Sequence, residues 1–231
     1  MREVLRNERK FSVNTAEFMQ KSHYLRQLLH ADPHNGVHGY MIRSLYFDTE
    51  YDDDFFDKEF GMETRKKLRL RIYDTQSASA VLEMKQKQGK QQRKRSLRLR
   101  REDAEKLINC DYSPLLQYPD PFAAECYGLM NARCYRPRTI VDYQREAFIA
   151  RENNIRITFD HSITATQSSF RLFDPKLLML PVMDPGMAVL EVKYNGFLLS
   201  YIREMLDSID KSEVSVSKYC MARYLSYYAH L

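Results

Sequence analysis

Lys67-Leu68-Arg69-Leu70-Arg71-Ile72 alternates cationic and aliphatic side chains without interruption. Successive side chains of an extended strand point to opposite faces, so Lys67, Arg69 and Arg71 share one face and Leu68, Leu70 and Ile72 the other. For one strand in isolation, the simplest reading is an apolar back packed on the protein and a cationic front in water.

The arrangement recurs. Val81, Glu83, Lys85 and Lys87 oppose Leu82 and Met84; Glu191 and Lys193 oppose Leu190, Val192 and Tyr194. Glu8 and Lys10 oppose Arg9, Phe11 and Val13, and Arg156, Thr158 and Asp160 oppose Ile155, Ile157 and Phe159. If the apolar faces pack against helices, the charged faces either lie on an open sheet or converge into the lumen of a closed one. Charges withdrawn from water cost several kcal/mol each unless they find partners. A lumen rich in Arg and Lys therefore calls for a polyanion, and interspersed Glu calls for a divalent cation. A triphosphate with Mg²⁺ or Mn²⁺ supplies both, because Arg and Lys donate to phosphate and hard carboxylate oxygens suit these ions.

Around this motif the chain alternates short strand-like runs with amphipathic helices, which predicts an α+β fold. Strands are expected at Glu8–Val13, Arg43–Asp48, about 65–74, 80–87, 93–100, 139–149, 154–160 and 187–194. Helices are expected from Asn14 or Thr15 to Ala31, over Glu50–Lys58, Glu102–Cys110 and Pro114–Ala132, and at about 197–209 and 217–229. With no internal repeat and no long linker, the 231 residues are read as a single domain.

No stretch approaches the roughly 18 apolar residues of a membrane span, and the start has no signal-peptide pattern, so a cytoplasmic protein without membrane insertion is expected. Cys110, Cys126, Cys134 and Cys220 form no CxxC pair and are expected as buried thiols. His34 and His38, in a loop, are read as surface histidines rather than zinc ligands. The net charge of +5 hides a basic segment over 65–101, in which Tyr73 is the only aromatic residue. Base-stacking platforms interleave aromatics with cations, so no specific nucleic-acid partner is expected. There is no GxxxxGK[ST] and no GxGxxG, so side chains rather than a glycine-rich backbone must hold phosphate. The acidic stretch Glu50–Asp57 is read as a solvated helix, and Tyr46, Phe47, Tyr143 and Phe148 as core.

Eight motifs in order then carry a resemblance: Glu8-Arg9-Lys10-Phe11, Ser44-Leu45-Tyr46-Phe47-Asp48, Leu68-Arg69-Leu70-Arg71, Leu82-Glu83-Met84-Lys85, Tyr143-Gln144-Arg145-Glu146-Ala147-Phe148, Arg156-Ile157-Thr158-Phe159-Asp160, Leu190-Glu191-Val192-Lys193 and Ser217-Lys218-Tyr219. They resemble the VTC domain, the polyphosphate polymerase of the vacuolar transporter chaperone complex, within the CYTH-like triphosphate tunnel metalloenzymes. The resemblance implies an antiparallel β-tunnel, a closed barrel-like sheet with a charged lumen and flanking helices. It implies an enzyme that uses ATP and polyphosphate, with Mn²⁺ or Mg²⁺ as cofactor. Residue by residue, it implies that Arg69, Arg71, Lys85, Arg145 and Arg156 act on the transferred phosphoryl group. Lys10, Lys193, Lys218 and Lys94 (or Arg95) would bind phosphate, and Glu191, with Glu83 and Glu8, would hold metal. The sequence departs from the fungal pattern where Ser215 stands near the place of an additional lysine. The type it resembles is a stand-alone bacterial one, for which a membrane-protein partner is conceivable and the oligomeric state is open. Two alternatives remain beside the polymerase: a triphosphatase acting on inorganic triphosphate, nucleotides or RNA 5′ ends, and a non-catalytic binder of polyphosphate or RNA.

Overall fold

The computed structural model describes residues 6–37, 39–89, 91–209 and 213–228. Among the described residues there are ten strands: β1 (Arg6–Asn14), β2 (His30–Ala31), β3 (Tyr40–Asp48), β4 (Thr64–Ile72), β5 (Ser79–Gln88), β6 (Gln91–Arg100), β7 (Arg136–Ala150), β8 (Ile155–Thr166), β9 (Leu180–Pro181) and β10 (Met187–Asn195). The same residues form six α-helices: α1 (Thr15–Leu28), α2 (Asp53–Glu59), α3 (Arg101–Ile108), α4 (Pro121–Ala132), α5 (Ser200–Asp207) and α6 (Lys218–Tyr228). Hydrogen bonds order the antiparallel sheet β1-β10-β8-β7-β3-β4-β5-β6, with β2 on β7 and β9 on β8.

The α+β class and the antiparallel sheet are as expected, but among the described residues hydrogen bonds do not close the sheet into a ring. β1 and β6 stand at the two ends of the path. Both ends are protected in ways that discourage further pairing. β6 carries Arg93, Lys94, Arg95, Arg98 and Arg100 along its length. The backbone of β1 instead receives the N–H of Val214 on the carbonyl of Lys10 at 2.9 Å.

By contact density the chain forms two compact units. Unit 1 comprises residues 1–41, 143–163 and 183–217, and unit 2 comprises 42–142, 164–182 and 218–231. Each has its own core. In unit 1, Phe11 and Val13 of β1, Ile155, Ile157 and Phe159 of β8, and Leu190 and Val192 of β10 pack with Leu25 of α1 and Ile202 of α5. In unit 2, Leu68, Leu70 and Ile72 of β4 and Leu82 and Met84 of β5 pack with Leu107 of α3 and Phe122 and Met130 of α4. These are the apolar faces that the alternation predicts, and they are 1% exposed or less on β4 and β5.

Several boundaries move for identifiable reasons. Asn14 caps α1 in a capping box, accepting the Glu17 N–H at 2.9 Å while Glu17 accepts the Asn14 N–H at 2.8 Å. The helix ends at Leu28 rather than Ala31, because His30 and Ala31 pair with Ile149 and Phe148. The helix expected over Pro114–Ala132 is a 3-10 turn (Ser113–Gln117) followed by α4. Pro119 forces Tyr118 out of the helical region, to ψ 123°, which separates the two. Cys126 and Cys220 are buried thiols, whereas Cys110 and Cys134 are exposed. Each exposed cysteine follows a helix end and has positive φ. His34 is a surface residue with Nδ1 2.8 Å from Asp32; His38 and the side chains of Tyr227 and Tyr228 lie outside the described residues. Among the described residues no helix is long and apolar enough to cross a membrane.

Gly39 has φ +83°, and a Cβ there would sit 2.3 Å from the Arg145 carbonyl oxygen. At Gly61, with φ +69°, a Cβ would meet nothing within 4 Å. Gly39→Ala therefore combines backbone strain with a collision against β7 and is expected to cost about 3 kcal/mol, while Gly61→Ala carries strain alone, about 1 kcal/mol. Paired denaturant titrations of the two variants check this difference.

Candidate functional site

In unit 1, cross-strand register sets opposite charges against each other. Glu8 of β1 faces Lys193 of β10, and Lys10 faces Glu191. On the other side of β10, Lys193 faces Arg156 and Glu191 faces Thr158 of β8. The ion pairs also run along each strand: Lys10 Nζ lies 2.8 Å from Glu8, and Lys193 Nζ contacts Glu191. Burial would raise the Glu191 carboxyl, but Lys193 and Lys10 outweigh it and hold the group below the usual carboxylate range. Burial likewise opposes the charge on Lys10, yet Glu191 and Glu8 leave it raised, whereas burial wins at Lys193.

Arg145 on β7 forms a two-pronged pair with buried Asp160, Nε to Oδ1 at 2.6 Å and Nη2 to Oδ2 at 2.7 Å. Burial opposes its charge, but Asp160 more than compensates. Its guanidinium lies 5.4 Å above the Tyr143 ring, so it is held in place on two sides. Arg156 donates to Asp32 at 2.8 Å and to the Tyr40 hydroxyl at 3.1 Å. Unit 1 thus offers cations whose orientation is fixed by carboxylates, the geometry that phosphate recognition by planar forks requires.

Unit 2 is more cationic. Arg69 of β4 lies opposite Glu83 of β5, and Lys67 lies opposite Lys85, which in turn lies opposite Lys94 of β6. Glu83 is 4% exposed. Its Oε2 accepts from Arg69 Nε at 2.8 Å and lies 3.6 Å from Arg71, while Oε1 contacts Lys94. Burial pushes the Glu83 carboxyl up, but Arg69, Arg71 and Lys94 overcome it and bring it down to about 2. Arg69 also donates to the Tyr46 hydroxyl at 3.0 Å, and Arg71 donates to Ser44 Oγ at 3.3 Å. Lys218 opens α6.

The twelve residues implied by the resemblance therefore divide equally. Glu8, Lys10, Arg145, Arg156, Glu191 and Lys193 belong to unit 1, and Arg69, Arg71, Glu83, Lys85, Lys94 and Lys218 to unit 2. Among the described residues no three His, Cys, Asp or Glu side chains gather as a ready-made metal cage. Glu8 lies close enough to Glu191 to oppose the ionisation of its carboxyl, and a pair of neighbouring carboxylates is a donor set of the kind Mg²⁺ or Mn²⁺ uses alongside water and phosphate oxygens. Glu83 is the poorer fit, since cations already engage both of its oxygens. A cavity of about 490 Å³ in unit 2, lined by Arg136, Arg138, Gln167, Phe170 and Arg223 among others, contains none of the twelve.

The sequence reading missed a second group of polar residues. Asp54 is fully buried and Asp52 nearly so, which corrects the expectation of a merely solvated acidic helix. Tyr46, Phe47, Tyr143 and Phe148 are buried as expected, yet Tyr46 also serves as the acceptor for Arg69. Asp32 and Asp160 hold arginines without having been assigned a role. The available signal was their position: Asp160 sits on the same strand face as Arg156.

These features define a class of protein: an α+β fold whose antiparallel sheet carries rows of ordered arginine, lysine and carboxylate side chains. The chain matches the VTC domain family over residues 5–227, and it belongs to that family. A Bacillus halodurans protein whose crystal structure carries the provisional name adenylate cyclase shares the fold. It aligns with a TM-score of 0.51 at 14% identity, over 92% of this chain and 95% of that one. A Pyrococcus horikoshii protein aligns with a TM-score of 0.46 at 13% identity, over 97% of this chain and 99% of its own. No curated protein sequence matches the chain.

Proposed function

We propose that this chain is a metal-dependent phosphotransferase that moves the γ-phosphoryl group of ATP onto the end of a growing polyphosphate chain. The observation that carries the reading is the cross-strand row Lys67, Lys85 and Lys94 beside Arg69 and Arg71. Arg and Lys side chains set side by side on one strand face supply a dense array of donors, which suits a linear polyanion with regularly spaced oxygens. Membership of the VTC family supports the same substrate.

In the proposed reaction a terminal phosphate oxygen of the acceptor attacks the γ-phosphorus. The bond from that phosphorus to the β,γ-bridging oxygen breaks, and ADP leaves with the bonding electrons. Such transfers need positioning and charge stabilisation rather than a protein nucleophile. The roles that the family resemblance implies are that Arg69, Arg71, Arg145 and Arg156 orient the phosphates, and that Lys85 and Lys10 neutralise charge developing on the leaving group. Lys94, Lys193 and Lys218 bind the remaining phosphates. Glu191 with Glu8 would hold Mn²⁺ or Mg²⁺, an ion that when bound neutralises phosphate oxygens. Glu83 is assigned to orienting Arg69 and Arg71.

The test is γ-labelled ATP with Mn²⁺, with products resolved on a gel that separates polyphosphate ladders from free phosphate. A ladder from the natural chain, lost in Lys85→Ala, is the expected result. Free phosphate alone would identify water as the acceptor and the protein as a triphosphatase. Retained polyanion binding without metal-dependent turnover would leave only a binding module. Glu191→Ala is expected to abolish metal-dependent turnover, and full activity in that variant would overturn the metal assignment.

A further inference from the structure

Asp48, at the end of β3, is completely buried and accepts four hydrogen bonds. The backbone N–H groups of Thr49, Asp54 and Phe55 reach it at 2.7, 2.9 and 2.9 Å, and the Tyr219 hydroxyl donates at 2.5 Å. Tyr219 is the second residue of α6 and is 1% exposed. Its ring stacks on Tyr46, with centroids 5.1 Å apart and planes 25° from parallel. The Tyr46 hydroxyl in turn accepts from Arg69. One turn further along α6, Arg223 pairs with buried Asp52 at 2.5 Å.

Packing alone does not call for this arrangement. A buried carboxylate and hydroxyl contribute little net stability compared with apolar groups of similar volume, whereas they restrict geometry strongly. Here the geometry they restrict leads to two of the cations. Lys218 is joined to Tyr219 by the chain, and Arg69 is joined to Tyr46 by a hydrogen bond.

Resting on the reading that Lys218 and Arg69 bind phosphate, we propose that Tyr219, anchored by Asp48, is a positioning residue. It fixes the first turn of α6 so that Lys218 is presented to phosphate, and through the stacked ring of Tyr46 it steadies the hydroxyl that receives Arg69.

The test is a pair of double-mutant cycles on the full chain, with metal-free inorganic tripolyphosphate as the probe and calorimetry as the readout. Tyr219→Phe keeps the stack and removes the anchor. It is expected to weaken binding about five-fold in the natural background and less than about two-fold once Lys218→Ala is present. In an Arg156→Ala background the five-fold factor should persist, because Arg156 does not act through Tyr219. A purely structural role would give the same factor in all three backgrounds and would overturn the proposal, as would unchanged binding by Tyr219→Phe. If Tyr219→Phe fails to fold, Tyr46→Phe combined with Arg69→Ala decides: additive losses overturn the proposal, and non-additive losses support it. A natural chain that does not bind tripolyphosphate would overturn the phosphate reading itself and the proposal with it, a result distinct from additivity in a protein that binds.

Discussion

Glu83→Gln is expected to lower the thermal midpoint by roughly 10 °C at neutral pH. The carboxylate is 4% exposed and serves Arg69, Arg71 and Lys94 together. Deleting one partner of a buried ion pair costs about 3–5 kcal/mol, because a charge that stays buried loses part of its compensation; here that charge is chiefly Arg71, with Arg69 partly buried and Lys94 half-exposed. For a chain of this length each kcal/mol moves the midpoint by about 2–4 °C. Glutamine preserves the volume and an acceptor oxygen, so the loss measures charge rather than packing. The pH dependence has a defined sign. A carboxyl at about 2 in the folded chain and near 4.5 when unfolded contributes stability that is complete above 4.5 and lost as pH falls towards 2. The variant should therefore lose stability at pH 7 and converge on the natural chain in acid.

The same variant separates a structural carboxylate from a metal ligand. With Glu83 neutral, the negative charge it supplied beside Arg69, Arg71 and Lys94 is gone and a polyanion can replace it, so tripolyphosphate should raise the midpoint of Glu83→Gln more than that of the natural chain. An equal gain in both proteins, or a midpoint within about 2 °C of the natural one without ligand, would show that the three cations do not depend on Glu83 for compensation.

The sheet was legible because a strand repeats every two residues and one face of each strand is deeply buried. Leu68, Leu70 and Ile72 could point nowhere else, and that fixes where Lys67, Arg69 and Arg71 lie. Register was not legible. Whether Lys10 lands opposite Glu191 or one pair further along depends on hydrogen bonding between strands 181 residues apart, and it decides that Glu8 and Glu191 share a neighbourhood while Glu83 serves arginines. The acidic run after β3 misled for a different reason. Composition alone makes Asp52, Asp53 and Asp54 look solvated, but Asp52 adopts φ 58° and breaks the helix before it begins. The helix therefore starts at Asp53, and Asp54 turns inward beneath Tyr135 and Lys66. The partners that make such burial tolerable come from elsewhere in the chain, and no local pattern announces them.

Asp54 gives the second large effect, and its sign is opposite to that of Glu83. Its carboxyl receives the Tyr135 hydroxyl at 2.9 Å and lies 3.1 Å from Lys66 Nζ, while its own N–H donates to Asp48. Burial dominates, and with the neighbouring Asp48 carboxylate it outweighs Lys66 and Tyr135, so the group is pushed up to about 7. An acid raised from 3.8 to about 7 on folding binds its proton more tightly in the native state than in the unfolded one. Stability from this group is therefore lost as pH rises from about 4 to about 7, by about 2–4 kcal/mol in all. Asp54→Asn keeps the acceptor for Tyr135 and cannot ionise, so its midpoint should stay level from pH 5 to 8 while that of the natural chain declines. Above pH 7.5 the variant should be the more stable protein, because its asparagine escapes the desolvation that the ionised aspartate suffers. If the two melting curves instead run parallel across this range, Asp54 is ionised throughout and Lys66 compensates for its burial fully. Together the two carboxyls set limits from both sides: Glu83 withdraws stability in acid, and Asp54 withdraws it towards neutrality, so the natural chain should melt highest in mildly acidic solution.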